Sequence, residues 1–267
     1  MAVEVKEARV DDTTMRYVCF GEGSKDMVIL PGLSLQSVLT SADAIAEAYR
    51  VFAKDYTVRL FDRRVNIPDR YSVAEMAEDT AKIMESLGLE NVYLFGVSQG
   101  GMMAQLIAIR HPHLVGKLVL ASTASKFETA KDSDIWDKWL TFAKQGKIHE
   151  LNEAFCEDLF GHELCVQLHD VVLAMEEATT KEDVDRFIVM AEGTENFDVY
   201  DDLNKITCPV LILGSENDTV LDVENMKKTA NKLNCEIYLY EGYSHAVYDL
   251  APDFKDRILR FYAGEEG

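Results

Sequence analysis

Apolar residues recur along the chain in short unbroken runs: Met27-Val-Ile-Leu30, Val58-Arg-Leu-Phe61, Val92-Tyr-Leu-Phe95, Leu118-Val-Leu-Ala121, Val210-Leu-Ile-Leu213 and Ile237-Tyr-Leu-Tyr240. Runs of this length bounded by turn residues predict strands buried on both faces. The N-terminus reads differently. Val3 and Val5 alternate with polar residues, Asp11-Asp12 supply a turn, and Met15, Tyr17 and Cys19 alternate again, which predicts a hairpin.

Helical spacing fills the gaps between the runs. Ser72-Val-Ala-Glu75 forms a capping box, and Val73, Met76, Ala77, Thr80, Ile83, Met84 and Leu87 then mark one helical face, with Gly88 as the stop. A last helix carries Phe254, Ile258, Phe261 and Tyr262 on one side, after Pro252. Strands alternating with helices require crossover connections and a mostly parallel sheet covered on both faces, the α/β class. Residues 127–195 break the alternation. They hold helix-length segments (Asp134-Ile-Trp-Asp-Lys-Trp-Leu, Leu151-Asn-Glu-Ala-Phe, Leu168 to Met175) and a second capping box, Thr180-Lys-Glu-Asp183, without a strand. An all-helical insertion in an α/β chain is expected over the carboxyl edge of the sheet, where ligands bind. The expected organisation is thus a core of residues 1–126 and 196–267 with a helical lid of residues 127–195.

Composition narrows the partners. The net charge of −20 disfavours phosphate backbones and anionic lipid, so neither nucleic acid nor membrane is expected, and a neutral or cationic small molecule is favoured. Met1-Ala-Val-Glu-Val-Lys-Glu mixes charges and has no apolar stretch like a signal peptide, and no apolar run approaches a bilayer span. The five cysteines, Cys19, Cys156, Cys165, Cys208 and Cys235, are odd in number and lack C-x-x-C spacing. They are expected as reduced thiols of a cytoplasmic protein, with neither a disulfide framework nor a metal site.

Candidate chemistry centres on Gly96-Val-Ser98-Gln-Gly100-Gly101, a G-x-S-x-G that follows a buried run and precedes an apolar helix from Met102 to Arg110. In that context the serine occupies a sharp strand-to-helix turn, where side chains at Gly96 and Gly100 would strike neighbouring backbone. The turn lifts Ser98 Oγ clear of the sheet, at a helix N-terminus whose partial positive charge favours a developing anion. A serine hydroxyl needs a base, and the base needs an orienting group. His245, in the loop after the last apolar run, is the candidate base. His111 and His113 flank Pro112 at a helix end, and His149, His162 and His169 fall in the insertion, where packing or surface roles are expected. The acid should follow Val210-Leu-Ile-Leu-Gly214, where Glu216 and Asp218 can carry charge and Asn217 cannot. Asp218 also has an ordinary reading as a turn residue or helix cap before Val223.

Across nearly everything outside the insertion, the chain resembles the α/β-hydrolase superfamily. The resemblance rests on the elbow, Leu30-Pro-Gly32-Leu-Ser34, Asp62-Arg63, Pro112-His-Leu-Val-Gly-Lys-Leu-Val-Leu120, Cys208-Pro-Val-Leu-Ile-Leu-Gly214 and the closing Gly-x-x-His with Pro252-x-Phe254. It implies a sheet of roughly eight strands, a helical cap that shapes the pocket, and the catalytic order Ser98, Asp218, His245. Asp218-Thr-Val-Leu matches the residues that follow the family's acid, although the acid usually stands where Asn217 does here. Two further positions depart from the family. Pro31-Gly32 replaces a common His-Gly, and Asp62-Arg-Arg-Val-Asn-Ile-Pro-Asp69 replaces a glycine-rich stretch.

The expected reaction is hydrolysis of an ester-like bond through an acyl-enzyme. The backbone N–H of Gln99 and, by resemblance, that of Leu33 (or Ser34) would form the oxyanion hole, and no cofactor or metal is called for. Thioester, lactone, amide or carbon–carbon bond hydrolysis on the same triad, or a ligand sensor with little turnover, are the alternative readings.

Overall fold

The computed structural model describes residues 2–265. Eight strands form one sheet in the order β1-β2-β4-β3-β5-β6-β7-β8. They are β1 (Val3–Val10), β2 (Thr13–Phe20), β3 (Lys25–Leu30), β4 (Tyr56–Arg64), β5 (Val92–Val97), β6 (Val115–Ala121), β7 (Val210–Ser215) and β8 (Glu236–Tyr240). The pairings β1–β2 and β2–β4 are antiparallel, and every other neighbouring pair is parallel. All six apolar runs lie inside strands β3 to β8, and the turn at Asp11, with φ of 51°, joins the N-terminal hairpin.

Successive side chains of a strand point to opposite faces, and both faces here are covered. Val28, Leu30, Leu118, Leu120 and Ile212 join one apolar cluster, while Met27, Ile29, Val119, Ala121, Leu211 and Leu213 join the other. That double burial is why these strands read as unbroken apolar runs rather than alternating ones. Helices α1 (Ala42–Ala48) and α2 (Val73–Ser86) flank β4, and α3 (Gln99–Arg110) follows β5. The capping box at α2 is present, with Ser72 Oγ accepting from Glu75 N at 3.3 Å and Ser72 N donating to Glu75 Oε2 at 2.8 Å.

Between β6 and β7 lie five helices: α4 (Ile135–Lys144), α5 (Ile148–Phe160), α6 (His162–Gln167), α7 (His169–Ala178) and α8 (Lys181–Glu192). Trp136, Trp139, Leu151 and Phe187 sink into the larger apolar cluster, so much of the insertion shares a core with the sheet layer, while Cys156, Cys165 and Val172 form a small cluster of their own. The second capping box opens α8, where Thr180 N donates to Asp183 Oδ2 at 2.9 Å. The chain closes with α9 (Val223–Leu233), α10 (Val247–Leu250) and α11 (Phe254–Ala263).

Candidate active site

Strand β5 delivers Ser98 at its carboxyl end in a backbone conformation that side chains seldom adopt, with φ of 50° and ψ of −120°. Such a residue costs on the order of 1–3 kcal/mol and persists only where its surroundings fix it. Here Ser98 N donates to Ala121 O at 2.8 Å, while Ser98 O accepts from Gly101 N at 2.8 Å and Met102 N at 3.2 Å. The flanking glycines have the expected reason. A Cβ at Gly100 would lie 2.1 Å from Leu30 O, and one at Gly96 would lie 2.6 Å from Gly100 O. Helix α3 begins at Gln99, three residues earlier than the apolar pattern indicates, because Gly100 and Gly101 already belong to its first turn.

The loop after β7 supplies Asp218. Its Oδ1 accepts from the backbone N–H groups of Val220 and Leu221, both at 2.9 Å, which fix the carboxylate against rotation. His245 Nδ1 lies 2.9 Å from Asp218 Oδ1 and 2.8 Å from Oδ2, with both side chains almost wholly buried. The turn reading of Asp218 therefore holds together with the imidazole contact, whereas the helix-cap role falls to Asp222, which accepts from Glu224 N at 3.0 Å. Glu216 instead meets Lys227, and the Asn217 backbone N–H donates to Ser215 Oγ at 3.0 Å.

Ser98 and His245 line one small cavity of about 20 Å³, together with Gly32, Leu33, Trp139 and Tyr248. No direct hydrogen bond joins the two side chains. Neither the Leu33 nor the Gln99 backbone N–H is engaged by a backbone carbonyl among the described residues. Ser34, the alternative donor residue, hydrogen-bonds through its hydroxyl to Gln36 O at 2.8 Å. Four of the other histidines meet carboxylates elsewhere: His111 meets Glu78 and Glu85, His113 meets Glu85, His149 meets Glu153 and Glu176, and His162 meets Glu157.

Two sets of contacts around this cavity lie beyond the motif reading. The end of α5 braces both loops that carry the ionisable pair. Asp158 O accepts from Thr219 Oγ1 at 2.6 Å and Ser244 Oγ at 3.1 Å, and Leu159 O accepts from Ala246 N at 2.9 Å. Beneath the elbow, one Nη of Arg63 donates to Pro31 O at 2.8 Å and to Gln99 Oε1 at 2.8 Å, with Gly32 O at 3.5 Å. Gln99 Nε2 in turn donates to Met190 O at 2.9 Å and Thr194 Oγ1 at 2.7 Å, tying the elbow to α8. Burial pushes the Arg63 pKa down to about 10 despite the adjacent Asp62, so the guanidinium stays charged at neutral pH. In the sequence Arg63 stands only as part of the Asp62-Arg63 resemblance, and its contacts appear only once the loop after β3 is seen beside it.

With fold and geometry in hand, the chain belongs to the α/β-hydrolase fold family, whose sequence model matches residues 27–252. It is 25% identical over 235 residues to a putative carbamate hydrolase RutD of Rhizobium rhizogenes, covering 81% of this chain and 86% of the relative. Identity to 3-oxoadipate enol-lactonase 2 of Acinetobacter baylyi is 19% over 217 residues, covering 79% of each. Among solved structures, an α/β-hydrolase enzyme from a Medee basin deep-sea metagenome library superposes with a TM-score of 0.84 at 23% identity, covering 98% of both chains. No helix among the described residues is long and apolar enough to cross a membrane.

Proposed function

We propose that the protein is a cytoplasmic serine hydrolase that opens a small-molecule carboxylic ester through an acyl-enzyme on Ser98. One observation carries this reading: a buried imidazole, paired with a buried carboxylate, lines the same cavity as a serine held in a strained strand-to-helix turn. His245 Nε2 accepts the proton of Ser98 Oγ as that oxygen attacks the acyl carbon. Asp218 holds the ring through Nδ1–H and stabilises the imidazolium. The tetrahedral oxyanion is met by the N–H groups of Leu33 and Gln99, each a donor of a kind whose loss costs on the order of 3–4 kcal/mol in comparable sites. Collapse expels the alcohol, which takes its proton from His245. A water molecule, deprotonated by the same imidazole, then releases the carboxylic acid and restores the serine. The helical insertion acts as a cap, since Trp136, Trp139, Phe155 and Leu159 wall the cavity from that side.

Two of the relatives bear names for hydrolysis of a carbamate and of an enol lactone, and both bonds are acyl bonds of the kind this sequence of steps opens. The test is substitution of the nucleophile. Ser98→Ala should abolish turnover of p-nitrophenyl acetate and labelling by a fluorophosphonate probe, with circular dichroism and melting temperature unchanged or raised. Steady turnover or labelling surviving in a folded Ser98→Ala protein contradicts the proposal.

A further inference from the structure

A cavity of about 530 Å³ adjoins the small one, and Gly32, Leu33, Phe155, Leu159 and Tyr248 line both. Its far walls come from α1, through Ile45 and Ala48, and from the insertion, through Phe160, Val171, Val172 and Met175. Val171 is 53% exposed and Met175 43%, among the most exposed large apolar side chains described. An apolar occupant of the cavity would cover both. The wall carries little charge. Cys156 is a neutral thiol, pushed up to about 12 by burial. The protein packed around the Asp249 carboxyl raises its pKa, although the residue keeps surface facing the cavity. Lys255, the only cation among the described lining residues, sits 5.1 Å from the Tyr49 ring and already faces Asp249.

We propose that this cavity receives the acyl chain of the substrate and that the preferred substrates are esters of uncharged, medium-length alkyl or arylalkyl acids. The inference rests on the serine-hydrolase reading and narrows it. A second carboxylate on the acyl group would lose its hydration against an apolar wall, with no guanidinium among the described lining residues to receive it. An uncharged chain gains instead by burial of its methylenes.

The measurement is kcat/KM over p-nitrophenyl esters from acetate to dodecanoate, with the hemiester of glutaric acid as the charged comparison. The expected profile rises about fourfold per added methylene, the equivalent of burying one CH2, up to six to eight carbons on the order of what such a cavity holds, and then falls. The charged hemiester should run at least roughly tenfold below the pentanoate ester. Ala48→Trp, which fills the far wall, should lower the octanoate-to-acetate ratio by about tenfold or more. A flat profile with steady acetate turnover, or a preferred charged hemiester, overturns the acyl-site proposal while leaving the serine chemistry standing. Absence of turnover on every ester overturns both.

A second, independent observation concerns Arg63. A single buried guanidinium nitrogen binds the carbonyl of Pro31, just before the Leu33 donor, and the side chain of Gln99, the residue that carries the other donor. We infer that Arg63 is a positioning residue that fixes both halves of the oxyanion hole at once. It would act on the transition state, where the oxyanion exists, and not on ground-state binding. Arg63→Met should lower kcat by about 10²-fold with KM within about threefold, and weaken binding of a trifluoromethyl ketone, whose tetrahedral hemiketal with Ser98 Oγ carries an oxyanion, by a similar factor. Gln99→Met severs the other end of the same contact and keeps the backbone donor, so it should weaken the ketone in the same direction. Either variant folding normally with unchanged kcat and ketone affinity overturns the role. If Arg63→Met does not fold, an unchanged ketone affinity in Gln99→Met is sufficient to reject it.

Discussion

Asp218 and Asn217 are neighbours in one loop, and only one of them meets the imidazole. Asp218 receives two backbone N–H groups on one oxygen and still presents both oxygens within 2.9 Å of His245 Nδ1. Asn217 is held through its backbone by Ser215 Oγ. Asp218→Asn should therefore lower kcat by about 10⁴-fold, as neutralising a triad acid does elsewhere, by favouring the wrong tautomer and leaving the imidazolium unsupported. Asn217→Ala should stay within about threefold of the parent by the same steady-state assay; a comparable loss would move the acid to position 217. At this scale Ser98, Gly96, Gly100 and His245 were legible because their constraints are local: a tight turn, a missing Cβ, a loop after a strand. Arg63 was not. Its partners stand 32 and 36 residues away in sequence, and no spacing rule connects them.

The elements themselves were legible where burial is two-sided or where caps are complete. Strands β3 to β8 announce themselves because both faces of each are covered, and α2 and α8 begin at the residues their capping boxes name. Helix α1 escaped detection for the converse reason. It has seven residues, one of them buried, and no side-chain hydrogen bond at its N-cap Ser41. The segment from Leu168 to Met175 reads as one helix; in the fold Leu168 is the joint between α6 and α7, and its own N–H bonds back to Leu164 O at 2.9 Å. A helix terminated by contacts to its neighbours, rather than by glycine or proline, leaves no mark in the sequence. Such helices contribute to the far wall of the larger cavity, so the shape of that cavity was the least legible feature of the chain.

The whole molecule divides its labour between layers that read differently. The parallel sheet fixes where Ser98, Asp218 and His245 emerge, because each follows the carboxyl end of a strand: β5, β7 and β8. The helices between β6 and β7 add walls to both cavities and brace the loops that carry Asp218 and His245 through the carbonyls of Asp158 and Leu159. On the proposed reading these layers meet to make Ser98 a transient acyl carrier. Rapid acid quench during turnover of p-nitrophenyl hexanoate, followed by peptide mass mapping, tests it directly. One hexanoyl group should appear on the peptide containing Ser98 and be absent from Ser98→Ala. Turnover without any acylated serine, or acylation at another residue in the parent protein, contradicts the account.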